Sequence, residues 1–201
     1  RLRLWAIHAR GAGSTRCAAI AGVDWIMHAD LATEADLEAV AEAGMPIMPT
    51  FTGQLQWYEN QQQLSYTRGQ KSTTVDRLSR QLQTAYATIR RAHEMGIPLL
   101  AGTDFGNADF WEPGSGHARE AEILVKEVGL TPMQAIESMT RLNAGTVGLE
   151  GEVGVIAADK LADITIWRAD PLADISVLQD RAMLATVISD GGIVDLEGAG
   201  A

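Results

Sequence analysis

The chain has 201 residues, a formal charge of -10, and 46% apolar against 21% charged residues. That is enough apolar material for a buried core in one large domain or two small ones. The acidic balance, with a pI of about 4.8, excludes non-specific binding to nucleic acid or anionic lipid, because both need clustered Lys and Arg. No apolar run approaches the roughly 18–20 residues of a membrane span, and the single cysteine, Cys17, excludes an internal disulfide and a cysteine-based zinc cluster. A reducing cytoplasm is the expected compartment. The chain starts Arg1-Leu2-Arg3 without a Met or a visible signal peptide, which reads as a segment of something longer.

In chain order, Leu2–Ala9 is a strand candidate, Ser14–Ala21 a short helix ended by Gly22, and Val23–His28 the next strand. Thr33–Ala43 reads as a helix: Thr33 suits the N-cap, Glu34 and Asp36 suit the positive N-terminus, and Gly44 suits the position after the last turn. Met45–Phe51 is a third strand candidate whose two prolines would be awkward in a central antiparallel strand. Thr52–Gln70 is polar and aromatic without a clear period, which reads as a long functional loop. Val75–Glu94 has helical apolar spacing at Leu78, Leu82, Ala85, Ile89 and Ala92. Ile97–Thr103 is a fourth strand candidate. Ala118–Val128 and Pro132–Met139 are helices, the second with Thr131 as N-cap and Pro132 in its first turn.

From about Glu152 the texture changes to short strands, Leu161–Trp167 and Leu184–Ser189, with a turn at Asp190-Gly191-Gly192 leading into Ile193–Leu196. Residues 1–150 thus hold about four β-then-α units, which implies parallel strands covered by helices. Four units are half of a (β/α)8 barrel, and a half barrel leaves raw strand edges that a partner or a missing half would cover. The expected fold is α/β: half a TIM barrel over residues 1–150 and part of a small β-sandwich over residues 151–201.

His8, His28 and Asp104 fall at the C-terminal ends of strand candidates one, two and four. In a ring of parallel strands those ends share one face, where active sites are built. Two imidazoles and a carboxylate on one face suit Zn²⁺ or a similar ion. Arg10 could grip a substrate carboxylate bidentately or form a surface ion pair. His117, after Gly114-Ser115-Gly116, reads equally as a substrate contact or as a capping side chain. His93 suits the C-terminal end of a helix dipole, and Cys17 reads as a small buried hydrophobe. Trp57 and Tyr58, in the long loop, are candidates to shape a substrate pocket, as are Asp109, Trp111 and Glu112 after Asp104.

Several stretches resemble the amidohydrolase superfamily, in its imidazolonepropionase-like and metal-dependent dipeptidase branch. His8-Ala-Arg-Gly and Ala19-Ile-Ala-Gly-Val-Asp-Trp-Ile-Met-His28 are similar to that family's strands five and six. Met48-Pro-Thr-Phe51 and Leu100-Ala-Gly-Thr-Asp104 are similar to its strands seven and eight. His117-Ala-Arg-Glu-Ala-Glu122, Leu130-Thr-Pro-Met-Gln-Ala135 and Thr140-Arg-Leu-Asn-Ala144 resemble the segments that follow. Trp167-Arg-Ala-Asp-Pro-Leu172 and Asp190-Gly-Gly192 match its closing β-sandwich.

The resemblance implies hydrolysis of a C–N bond in a small amide, cyclic amide or dipeptide by a metal-activated water. His8 and His28 would hold the ion, and Asp104 would bind metal and act as general base. It implies one or two divalent ions, most simply zinc, in the full-length parent. The family's His-x-His pair and strand-four lysine have no counterpart: the first lysine is Lys71. Deaminases of the superfamily place a Glu three residues after the fifth-strand His, where this chain has Gly11. The competing expectation is a catalytically silent half barrel that persists as a homo-oligomer or in association with a missing N-terminal half.

Overall fold

The computed structural model describes residues 4–69, 73–104 and 115–196. The first seven elements are β1 (Ala6–Gly11), α1 (Ser14–Ala21), β2 (Trp25–Leu31), α2 (Glu34–Glu42), β3 (Ile47–Met48), α3 (Phe51–Thr67) and α4 (Thr73–Glu94). β1, β2 and β3 form a parallel sheet in that order. Residues 97–103 extend it: the Ile47 N–H donates to the Pro98 carbonyl at 3.0 Å, the Leu100 N–H donates to the Ile47 carbonyl at 2.8 Å, and Ile47 bridges Leu99 in parallel. The expected β-then-α alternation is present, and its strands run parallel.

Local sequence explains most boundaries. Thr33 and Asp36 exchange capping contacts, with the Thr33 N–H donating to the Asp36 carboxylate at 2.8 Å, and this fixes the start of α2. Gly44 follows α2 with φ +62°, a conformation that costs a residue with a Cβ about 1 kcal/mol or more. β3 is only two residues long because Pro46 and Pro49 flank it, and neither has an N–H to give the ladder. α4 buries Leu78, Leu82, Ala85, Tyr86, Ile89 and Ala92 along one stripe and packs on β2. Ile26, Val40, Ile47, Phe51 and Ile89 are fully buried in the core between sheet and helices. Phe51 meets Tyr86 edge to face at 4.9 Å between ring centroids.

Residues 52–67 of the stretch expected as a loop, together with Phe51 from the end of the expected third strand, form the seventeen-residue helix α3, so Trp57 and Tyr58 stand on a helix. The local sequence hides it because among its buried residues Phe51 is joined by Thr52 and Gln56, so the inward stripe is largely polar. A buried carboxylate from a distant helix holds its start, as described below. The first strand also lies later than expected, at Ala6–Gly11, which places His8 in mid-strand.

α5 (Ser115–Ile123) runs into a wide π-type turn over Leu124–Val128. α6 (Pro132–Glu137) starts with Thr131 as a capping residue, passes through a second π-type turn at Ser138–Leu142, and ends in α7 (Asn143–Thr146). The tail contributes β4 (Ile164–Trp167), β5 (Leu184–Ser189) and β6 (Gly192–Ile193), an antiparallel sheet in that order. Among the described residues this is one layer, with no second sheet facing it. No described helix is long and apolar enough to cross a membrane.

Candidate functional site

The site is built where β1 and β2 leave regular pairing. Their register runs Ala6 with Trp25 through Ala9 with His28, then jumps to Gly11 with Leu31, so β2 carries one extra residue. This bulge falls on His28-Ala29-Asp30, and His28 and Ala29 take positive φ values of +76° and +54°. Bulges of this kind re-aim side chains at sheet ends. Two pairs of side chains then meet across the strands. His28 Nε2 lies 2.8 Å from His8 Nδ1, with the rings nearly perpendicular at 4.0 Å between centroids. One step further along, Arg10 clamps Asp30, with Nε donating to Oδ1 at 2.9 Å and Nη2 donating to Oδ2.

Thr50, immediately before α3, orients His28. The Thr50 hydroxyl donates to the Pro49 carbonyl at 2.7 Å, and its oxygen stands 2.6 Å from His28 Nδ1. With its hydrogen already committed, that oxygen accepts, so His28 carries its hydrogen on Nδ1. Nε2 therefore presents a lone pair, and His8 Nδ1 donates to it. Burial, and then the neighbouring His8, lower the His28 pKa, which keeps the ring neutral. Thr50 holds φ +59°, costly for a β-branched residue and kept only where the surroundings over-determine it.

Asp104 completes the group from the end of the fourth extended segment, at φ +48°. Its Oδ2 is 4.0 Å from His28 Nε2, and its side chain is 59% exposed. Two glycines set that approach. A Cβ on Gly53 would stand 3.0 Å from the Thr103 carbonyl oxygen and 3.2 Å from that of Asp104, and the Gly53 N–H donates to Thr103 O at 3.1 Å. A Cβ on Gly102 would lie 2.2 Å from the Met48 sulfur.

The donor set is two imidazole nitrogens and a carboxylate, the chemistry that zinc-class ions prefer. Two nitrogens on one tetrahedral ion at about 2.0–2.1 Å each stand roughly 3.3 Å apart, so the 2.8 Å His8–His28 contact must open by about half an ångström. His8 must also release Nδ1 by moving its hydrogen to Nε2. Asp104 is within reach of the same point. As the side chains stand, no group of three or more His, Cys, Asp or Glu residues among the described ones converges into a coordination shell.

A cleft of about 390 Å³ opens beside these groups, lined by Arg10, Gln54, Trp57, Gln81, Leu82 and Asp104 among others. Arg10 and Trp57 thus join Asp104 at one cavity. Tyr58 lines a second cavity of about 340 Å³ with Arg119 and Tyr86, and accepts a hydrogen bond from Gln62 at 2.6 Å. His117 sits in the first turn of α5, where burial lowers its pKa. Asp109, Trp111 and Glu112 lie outside the described residues.

Sequence reasoning gave no role to Thr50, Asp30, Gln54 or Glu120. Thr50 and Glu120 both sit inside stretches that carry the family resemblance. Their functions depend on partners 22 and 68–69 positions away, which local patterning does not report.

The chain is similar to known proteins over most of its length. The sequence profile of the Amidohydrolase family matches residues 3–194. The imidazolonepropionase of Ralstonia nicotianae is 28% identical over 109 residues, covering 54% of this chain and 26% of that protein. The imidazolonepropionase of Symbiobacterium thermophilum is 28% identical over 121 residues, covering 58% and 27%. Among solved structures, a Xaa-Pro dipeptidase with bound methionine in its active site superposes with a TM-score of 0.78 at 28% identity, covering 96% of this chain and 45% of that one. A prolidase complexed with N-methylphosphonate-L-proline superposes with a TM-score of 0.76 at 25% identity, covering 94% and 44%. The chain spans about a quarter of the length of these sequence relatives and under half of these solved chains. With a mixed α/β fold shared with these proteins and a family profile that spans nearly its whole length, the chain belongs to the Amidohydrolase family.

Proposed function

We propose that residues 1–150 are the C-terminal half of a (β/α)8 barrel, that residues 151–201 are part of a small β-sandwich, and that the whole protein hydrolyses a C–N bond in a small amide, cyclic amide or dipeptide. The observation that carries this reading is the meeting of His8 Nδ1 and His28 Nε2 at 2.8 Å, with the Asp104 carboxylate 4.0 Å from His28. His8 and His28 would hold a divalent ion, zinc being the simplest choice, with Asp104 beside it. When bound, such an ion supplies Lewis acidity toward a carbonyl and makes water more acidic.

The protein's own residues do the rest. Asp104 takes a proton from the attacking water and passes it to the leaving nitrogen as the C–N bond breaks. Its exposure supports that role, because a base must reach both water and substrate. Arg10 and Trp57 face the substrate from the cleft, and His117 and Tyr58 remain candidate contacts from α5 and the outer part of α3. Gln54 and Gln56 line the same cleft, and their side-chain nitrogens lack a hydrogen-bond acceptor among the described residues.

The test is hydrolysis of N-acyl amino acids and dipeptides by the zinc-loaded protein, set against deamination of nucleobases. Activity on the amides that Asp104→Asn abolishes supports the reading. Deamination of nucleobases alone, or an Asp104→Asn variant as active as the wild type, overturns it.

A second reading has its own support. β1 is an edge strand on which Ala6, Ile7 and His8 are exposed, and Trp5 just before it is 63% exposed. An uncovered parallel edge of this kind invites pairing, consistent with a silent half barrel completed by a second copy or by a separate N-terminal half. Solution mass with metal analysis separates the two: an active monomer with stoichiometric metal ends the silent reading.

A further inference from the structure

Glu120 has no part in the chemistry above, yet it is the largest buried charge-bearing side chain in the described structure, with 0% exposure. It reaches from the middle of α5 to the first turn of α3. One carboxylate oxygen accepts the Phe51 N–H at 2.9 Å. The other accepts the Thr52 N–H at 2.7 Å and the Thr52 hydroxyl at 2.6 Å. Glu120 therefore gathers the backbone donors left unpaired at the start of α3, where the helix dipole favours a negative group.

The residue just before those two amides is Thr50, which holds the strained φ of +59° and sets its hydroxyl oxygen 2.6 Å from His28 Nδ1. We propose that Glu120 is a positioning residue for His28: by pinning the amides of residues 51 and 52 it fixes the start of α3, holds the adjoining Thr50 in its left-handed conformation, and so fixes His28 with its hydrogen on Nδ1 and its Nε2 lone pair toward His8 and Asp104.

The chain of contacts runs α5 to α3 to β2 without touching the cleft. A capping carboxylate with no such task could be met by a residue on α3 itself, as Asp36 does for α2. A cap from α5 instead ties His28 to the helix that follows Asp104, so one contact sets both sides of the site. Only the consequence for metal affinity rests on the proposed role of His28 as a ligand. The tautomer belongs to the metal-free chain.

The experiment is a long-range ¹H–¹⁵N spectrum of the full 201-residue chain labelled with ¹⁵N-histidine, metal-free at pH 8, for wild type, Glu120→Gln and Thr50→Val. The wild type shows His28 protonated at Nδ1 and bare at Nε2. Both variants move His28 toward a mixture of tautomers while melting cooperatively. A folded Glu120→Gln whose His28 signals match wild type overturns the proposal. If Glu120→Gln does not fold, Glu120→Asp, one methylene too short to reach both amides, is read in the same way.

Zinc competition with a chelator adds a second readout. Each substitution weakens binding about 10–100-fold, as loss of a ligand-orienting contact does. The double variant is no weaker than the poorer single one, because both act through one path; simple addition of the two losses overturns that path. A wild-type chain that binds no zinc counts against the hydrolase reading alone, and the tautomer spectrum still decides the role of Glu120.

Discussion

The two sides of the site are built differently. His28, Thr50, Asp30 and Glu120 are buried, hydrogen-bonded and held by three elements at once. His8 and Asp104 are exposed, one on an edge strand and the other at the end of a segment joined to the sheet by a single bridge. The buried side is pre-set by the fold of this chain, with its polar groups satisfied by one another. The exposed side is tied more thinly: among the described residues the His8 ring bonds to His28 alone, and Asp104 stands 4.0 Å from His28. The residues held by several elements fix the orientation, and the exposed ones are those proposed to meet water, cation and substrate.

That division makes substitutions on the two sides diverge, and the largest effect falls on the buried one. Arg10→Ala leaves the fully buried Asp30 carboxylate without its guanidinium and should cost about 3 kcal/mol or more in urea unfolding. A loss under about 1 kcal/mol would mean that Asp30 is solvated, and the contrast would weaken.

Next is the pH response of Glu120, whose pKa burial pushes up to about 7 while its hydrogen bonds limit the rise. A carboxyl with a folded pKa above its unfolded value of 4.5 gives stability that is full below pH 4.5 and lost as pH rises to about 7. His28 and His117 run the other way, because their lowered pKa values add stability that fades as pH falls below 6.5. The wild-type profile mixes both trends, so the informative quantity is the difference between wild type and Glu120→Gln. It should be larger at pH 5 than at pH 8, by up to about 3 kcal/mol. An equal difference at both values would show that Glu120 titrates normally.

A smaller effect is expected at Gly53→Ala. The added Cβ meets the Thr103 and Asp104 carbonyl oxygens, and backbone there must shift, at about 1–3 kcal/mol. Gly102→Ala meets only the flexible end of Met48 and should be milder despite the closer approach. Thermal melts of the two variants check this order. The smallest effect is on the exposed side: His8→Ala should change stability by less than about 0.5 kcal/mol, measured by the same unfolding curves. A larger loss would place His8 with the structural residues.

The same contrast explains what the sequence disclosed. Apolar spacing on α4, the glycine after α2, the Thr33 and Thr131 caps and the boundaries of α1 and β5 are local signals, and each element appears where those signals put it. His8, His28 and Asp104 were legible as candidates because a family pattern surrounds them, although His8 and His28 stand inside β1 and β2 rather than at their ends. α3 was not, because its buried stripe includes Thr52 and Gln56 and its N-terminus is held by Glu120 from α5. Nor was the bulge at His28-Ala29-Asp30, which no proline or glycine marks. Thr50 and Glu120 act through contacts made only after the sheet and helices have packed.

Calorimetric titration of the 201-residue chain with Zn²⁺, repeated for His8→Ala, His28→Ala and their double variant, bears on the shared role of the two imidazoles. Saturable binding in the wild type that either single substitution abolishes is the result expected. Binding that survives in the double variant with its affinity intact would show that the cation, and with it the hydrolytic site, is held elsewhere.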